Sequence, residues 1–210
     1  MTASAIRPDF AEILRLVRPG SRVLDVGCGE GALLELLARE NGVDGRGIEI
    51  SPQGVSACLA RGLSVMQGDA DRDLDYFAAQ AFDYVILSQT LQAVQNPRHV
   101  LGELLRIGER AVVSLPNFGH WRVRLDLLLH GRMPVTGVLP DPWWATPNIH
   151  LCTVRDFAAL CDDLALNIDA CAALADGRPA RAIDPARGIE NWRAEAALFL
   201  LRRRAATSDA

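Results

Sequence analysis

Val23-Leu24-Asp25-Val26-Gly27-Cys28-Gly29-Glu30-Gly31 is a short apolar run, broken by one acid, that ends in a turn with glycine at every second position. Ala32 to Arg39 then reads as helix, with Leu33, Leu34 and Leu37 as its buried stripe and Asn41-Gly42 as its stop. Strand, tight turn and helix in that order build a nucleotide-type binding corner. The glycines permit positive φ and close approach of a ligand to the backbone. The helix after them begins with N–H groups that have no partner in their own helix.

The segments on either side repeat the alternation. Phe10, Ile13, Leu14 and Val17 recur at helical spacing, so residues 1–20 carry an N-terminal helix over Asp9 to Arg18, with Asp9 as its N-cap. Arg22 to Val26 is the first strand and Gly45 to Ile50 the second. Ser51-Pro52 starts a helix with Val55, Cys58 and Leu59 facing inward. Leu63 to Gln67 is the third strand, Asp71 to Gln80 a weak helix or turn, and Phe82 to Ser88 a strongly apolar fourth strand. Asn96-Pro97 caps a helix through Gly108, and Arg110 to Leu115 is the fifth strand. Strands alternating with helices at this spacing imply a parallel sheet with helices on both faces.

The rhythm loosens over 116–150. This segment holds a helix from Trp121 to His130, then prolines at 134, 140, 142 and 147, with tryptophans at 121, 143 and 144. A connection of that length, rich in tryptophan, is expected to be a packed lid or a partner surface. Thr153 to Asp156 has the pattern of a capping box. Asn167 to Leu174 and Ala196 to Arg202 read as a closing strand pair joined by an arginine-rich loop, and 205–210 as a frayed tail. Residues 1–210 are therefore expected to form a single domain.

Composition narrows the function. No run of 18 apolar residues exists, which excludes a spanning helix, and the first residues lack an apolar signal core. Five scattered cysteines without a C-x-x-C pair argue against zinc and for a reducing cytoplasm. All 22 basic residues are arginine, so no lysine base is available, and a net charge of −4 argues against nucleic acid as partner.

Two ligands fit the glycines. Gly27-x-Gly29-x-Gly31 suits S-adenosylmethionine, and Gly27-x-Gly29-x-x-Ala32 also satisfies the dinucleotide fingerprint. Charge separates them. Asp25 would repel a pyrophosphate but attract the ammonium and sulfonium of S-adenosylmethionine. Glu49 ends the second strand, suited to ribose hydroxyls, and Asp69 follows the third, suited to an adenine amino group. Each acid taken alone could be a solvated cap; three in register with the glycines make an acidic slot for a cationic nucleoside.

At this level the chain resembles the class I methyltransferase fold, a Rossmann-like, seven-stranded, mostly parallel sheet with a C-terminal antiparallel strand. GRGIEI, FDYVILSQTLQAV, SLPNFGHWRVRLDLLLHGRMPVT and TPNIHLCTVRDFAALC are similar to the MetW family of methionine-biosynthesis proteins. The resemblance implies association with homoserine O-acyltransferase. It also implies a cofactor turn for S-adenosylmethionine or S-adenosylhomocysteine on Asp25, Gly27, Gly29 and Gly31, with Glu49 as its ribose acid; the expected site adds Cys28, Ile50, Asp69 and Ser88 to these. Trp143-Trp144-Ala145 departs from a tryptophan–tyrosine pattern associated with the family.

Catalysis has thinner support. Ser88-Gln89-Thr90 is not the Asn-Pro-Pro-Tyr type of sequence used by nucleic-acid amino methyltransferases. His120, just past the fifth strand, is the candidate base. The expected protein is thus a cofactor-binding partner of the acyltransferase, with a small-molecule methyltransferase as the alternative.

Overall fold

The computed structural model describes residues 7–137, 139–175 and 178–204. Helix α1 (Pro8–Leu16) leads into strand β1 (Arg22–Val26), α2 (Ala32–Asn41), β2 (Asp44–Glu49), α3 (Pro52–Ala60) and β3 (Ser64–Gln67). After a 3-10 turn (Leu74–Tyr76) comes β4 (Phe82–Ser88), and after a second (Leu91–Ala93) come α4 (Pro97–Ile107), β5 (Gly108–Pro116) and α5 (Trp121–His130). The remainder is α6 (Val154–Asp163), β6 (Leu166–Leu174), β7 (Arg181–Ala182), α7 (Gly188–Arg193) and β8 (Ala196–Arg203).

One sheet runs β3-β2-β1-β4-β5-β8-β6-β7. β1 to β5 are mutually parallel, and β8 lies antiparallel between β5 and β6. Strand order reverses between β1 and β4, which opens a crevice at the carboxyl ends of those strands. The period of two sorts side chains cleanly onto opposite faces. Val23, Tyr84, Ile86 and Val112 join the core under α1 and α2. Their neighbours Leu24, Val85, Leu87 and Val113 join the core under α4 and α6. Burial on both faces is what the unbroken apolar strands require.

Several expectations change. The sheet has eight strands rather than seven, because two residues of the arginine-rich loop pair with Ala172 and Ala173 as β7. That loop also coils into α7. Asp9 does not cap α1; Arg7 precedes the helix, and Asp9 is buried in its first turn. On α3, Cys58 is buried but Leu59 is 57% exposed, so the helix turns only one side to the sheet. The capping box at Thr153 and Asp156 is present. The start of the N-terminal segment (1–6) and the tail (205–210) lie outside the described residues. Among the described residues no helix is long and apolar enough to cross a membrane.

Candidate functional site

The corner forms where β1 ends against β4. Gly27, Gly29 and Gly31 all have positive φ, at 73°, 56° and 80°. At Gly27 a side chain is excluded twice over, since a Cβ would stand 2.8 Å from Thr90 Oγ1. Over Gly29 nothing lies within 4 Å, leaving space that a ligand can fill.

The turn's own amides are largely engaged. Gly27 and Cys28 donate to the Ile48 carbonyl, and Gly31 to that of Cys28. Gly29 donates to Glu49 Oε2 at 2.8 Å, while Ser51 donates to Oε1 of the same carboxylate at 2.8 Å. Glu49 therefore clamps the glycine turn to the start of α3, and each of its oxygens keeps a lone pair for a further donor. α2 begins at Gly31 with no side-chain cap. The turn offers a ligand its shape, its acids and that helix start, but few free amides.

Asp25 is 2% exposed. Burial, unrelieved by any hydrogen bond among the described residues, pushes its carboxyl up to about 7. Arg7 pulls against this, while Asp9 and Glu49 add like charge. A buried acid in that state is an electrostatic socket for a cation. Ile50, next to Glu49, is 63% exposed and provides an apolar wall. Asp69 sits two residues beyond β3 in a tight turn, where Oδ1 accepts from the Asp71 amide at 2.9 Å. Asp25, the glycines, Glu49 and Ile50 thus share one corner, with Asp69 on the neighbouring strand end. The open space over Gly29 and the unpartnered Asp25 fit S-adenosylmethionine, a ligand carrying fixed positive charge.

Ser88 has a different set of partners. Its hydroxyl donates to Asp9 Oδ2 at 2.6 Å and accepts from Arg7 at 3.2 Å. Ser114 donates to the same Asp9 oxygen at 3.3 Å. This strap ties α1 across the ends of β4 and β5. Sequence reasoning missed it, because the pairing residues lie 79 and 105 positions apart. A cavity of about 420 Å³ opens beside the strap, lined by Arg7, Asp9, Gln89, Leu174 and Glu195 among others.

His120 stands apart from the glycines. It precedes α5, is 5% exposed, and forms the wall of a groove of about 870 Å³ with Trp121, Arg122, Arg193 and Glu195. Desolvation lowers its pKa below the usual histidine value, with Arg122 adding to the effect and Glu195 opposing it. That favours the neutral imidazole, which lines the groove rather than the glycine corner. Cys28 is buried beside Cys58, and burial raises its thiol far above the usual value, so it packs rather than reacts.

Asn117, which lies in the SLPNFGH stretch but has no role predicted from the sequence, is a fully buried joint. Its Nδ2 donates to the carbonyls of Asn191 and Ala194, and its Oδ1 accepts from the amides of Gly119 and Val154. One side chain thereby locks the end of β5 to α6, α7 and β8.

Comparison with known proteins agrees with this architecture. A methyltransferase from Thermotoga maritima that depends on S-adenosylmethionine, described as a possible histamine N-methyltransferase, superposes with a TM-score of 0.68 at 14% identity. It covers 93% of this chain and 87% of its own. SpnF, a [4+2]-cyclase, has the same fold (TM-score 0.61, 17% identity, 93% and 81% covered). The fold therefore does not by itself assign methyl transfer. A bifunctional methionine biosynthesis protein MetXA/MetW from Rhodopirellula baltica is 36% identical over 170 residues, which is 77% of this chain and 27% of that protein. The chain spans less than half the length of the curated relatives it matches. The family model for methionine biosynthesis protein MetW matches residues 7–201. With a match of that extent over the sheet, the corner and the late segment alike, this chain belongs to the MetW family.

Proposed function

We propose that the chain holds S-adenosylmethionine on the glycine corner and, bound to homoserine O-acyltransferase, adjusts that enzyme to the methionine supply. The observation that carries this reading is the relative in which MetXA and MetW portions are one polypeptide. Fusion makes encounter intramolecular and raises effective concentration, an advantage where two parts act together. On the corner, Asp25 faces the cationic end of the ligand, Glu49 accepts from the ribose hydroxyls, and Ile50 covers the adenine. Asp69 accepts from the adenine amino group. Gly27, Cys28, Gly29 and Gly31 form the floor, with Ser88 at its edge. S-adenosylmethionine is made from methionine, so its occupancy reports the pathway's output. Regulation follows if the ligand favours one state of the complex over the other. The free cysteines suit a reducing cytoplasm.

The test combines the purified acyltransferase of the same organism with wild type and Asp25→Asn, with and without S-adenosylmethionine. Wild type is expected to bind the enzyme and change its rate in a ligand-dependent way, and Asp25→Asn to lose the ligand dependence. An acyltransferase rate indifferent to both chain and ligand would sink the reading.

The cavity beside the strap supports a second reading, a small-molecule methyltransferase whose acceptor sits among Arg7, Gln89 and Glu195. The hydroxyls that meet a carboxylate beside this cavity, those of Ser88 and Ser114 on Asp9, are engaged in the strap, and His120 opens onto the other groove. Release of S-adenosylhomocysteine with a pathway metabolite would favour this second reading over the first.

A further inference from the structure

Helix α5 is turned inside out. Of its ten residues only Val123 is buried. Trp121, Leu125, Leu128 and Leu129 recur at i, i+4, i+7 and i+8, the spacing of an apolar stripe, yet they are 38%, 41%, 80% and 65% exposed. The stripe on α4, in contrast, is wholly buried. The segment after α5 extends the exposed surface rather than covering it, with Trp143 and Trp144 edge to face and 69% and 72% exposed. Trp121, Leu125, Leu129 and Val135 line one hollow of about 280 Å³ on this surface. A second, of about 290 Å³, is lined by Met133, Leu139, Trp143 and Leu151. Contiguous apolar surface with pockets for anchors marks an interaction site.

We propose that this face, α5 with residues 133–137 and 139–151, is where the chain docks onto the acyltransferase. The proposal rests on the reading given above and adds the surface to it. Two observations select that occupant. A relative carries the MetXA portion covalently attached, so a protein surface is constantly at hand to cover the stripe. The rim is net basic: Arg122, Arg124 and Arg132 are exposed there against two carboxylates, Asp126, which lies 2.6 Å from His130, and Asp141. A second copy seated symmetrically would bring like rims together, because the same patch must face itself. The complement is an apolar patch with an acidic border on a different protein, and that border steers the encounter as well.

The double variant Leu128→Glu/Trp144→Glu tests this, with Leu59→Glu as control. Leu59 is equally exposed apolar surface but lies on α3, at the opposite edge of the sheet. Binding of the full-length chains to purified acyltransferase is measured by titration, and thermal unfolding checks that each variant is folded. The double variant is expected to bind at least 100-fold more weakly, and Leu59→Glu within twofold of wild type. The docking face is overturned, and the functional reading survives, if the double variant binds within threefold of wild type. It is also overturned if the double variant merely turns a dimer into a monomer. If wild type itself does not bind the acyltransferase, the functional reading falls and the docking face with it.

Discussion

At the scale of the residue, Asp25 carries most of the meaning of this chain, and its environment makes it testable. Its folded pKa is raised above the unfolded carboxylate value by burial. The stability it contributes is therefore fully present below the unfolded value of ~3.9 and is lost as pH rises through about 7. At ~1.4 kcal/mol per pH unit across that window, the loss by pH 8 is about 4 kcal/mol. Asp25→Asn, which cannot ionise, is expected to gain on wild type in melting temperature steadily from pH 5 to about pH 7, and to level off above it, in the ligand-free state. A gap that does not widen would contradict the burial argument. The same acid predicts that S-adenosylmethionine binding releases a proton and weakens about tenfold per pH unit below 7. Calorimetry in two buffers of different ionisation enthalpy reads that proton directly. Gly27→Ala is expected to cost about 1–3 kcal/mol from its left-handed φ. It also displaces Thr90, whose hydroxyl holds the Ser88 carbonyl, so ligand binding should fall with stability. The acids and glycines of this corner were legible because they are local and sit at strand ends. Arg7, Asp9 and Ser114 were not, since their meeting is set by the sheet order and leaves no short-range signature.

At the scale of the element, periodicity carried the strands and most helices to within a residue or two. Trp121 to His130 was bounded as observed, yet its exposure ran against the usual meaning of an apolar stripe. A sequence period says that one side of a helix is apolar and is silent on what covers it. Leu59 failed for the same reason on a smaller scale. β7 and α7 were missed because a two-residue strand and a six-residue helix carry too few residues to show a period. β7 is held by its pairing with β6, and α7 by tertiary contacts such as Asn117. Replacing that side chain by alanine strands two carbonyls and two amides in the interior, each worth about 1–3 kcal/mol. Asn117→Ala is accordingly expected to lose about 3–5 kcal/mol, in the upper tail of single substitutions. In a chain of this size that lowers the melting temperature by roughly 10 °C. Hydrogen exchange should show the loss concentrated in α6, α7 and β8, with β1 to β3 little changed.

At the scale of the whole molecule, the two ends of the sheet carry different duties in this reading. The β1–β2–β3 side holds the ligand corner, and the side beyond β5 bears the arginine groove and the apolar face. The strap from α1 to β4 and β5 lies between them. Breaking it by Asp9→Ala removes the acceptor shared by Arg7, Ser88 and Ser114. That substitution is expected to leave acyltransferase binding intact while weakening its dependence on S-adenosylmethionine, as measured by comparing affinities with and without ligand. Unchanged dependence would mean that the two sides do not communicate through α1.

The position of β8 has a consequence for synthesis. It is the last strand in chain order, yet it lies between β5 and β6 and pairs with both along nearly its whole length. While the chain emerges from a ribosome, the first five strands can assemble and the glycine corner can close, but β5 keeps an unpaired edge and β6 has only the two-residue β7 beside it. Such edges are templates for aggregation until the final strand arrives. Pulse-labelling during refolding should therefore find β1 to β4 and the β4-facing amides of β5 protected before β6, β8 and the β8-facing amides of β5, which gain protection together. In the proposed reading, the half-made protein completes its ligand corner before it can present a finished surface to the acyltransferase.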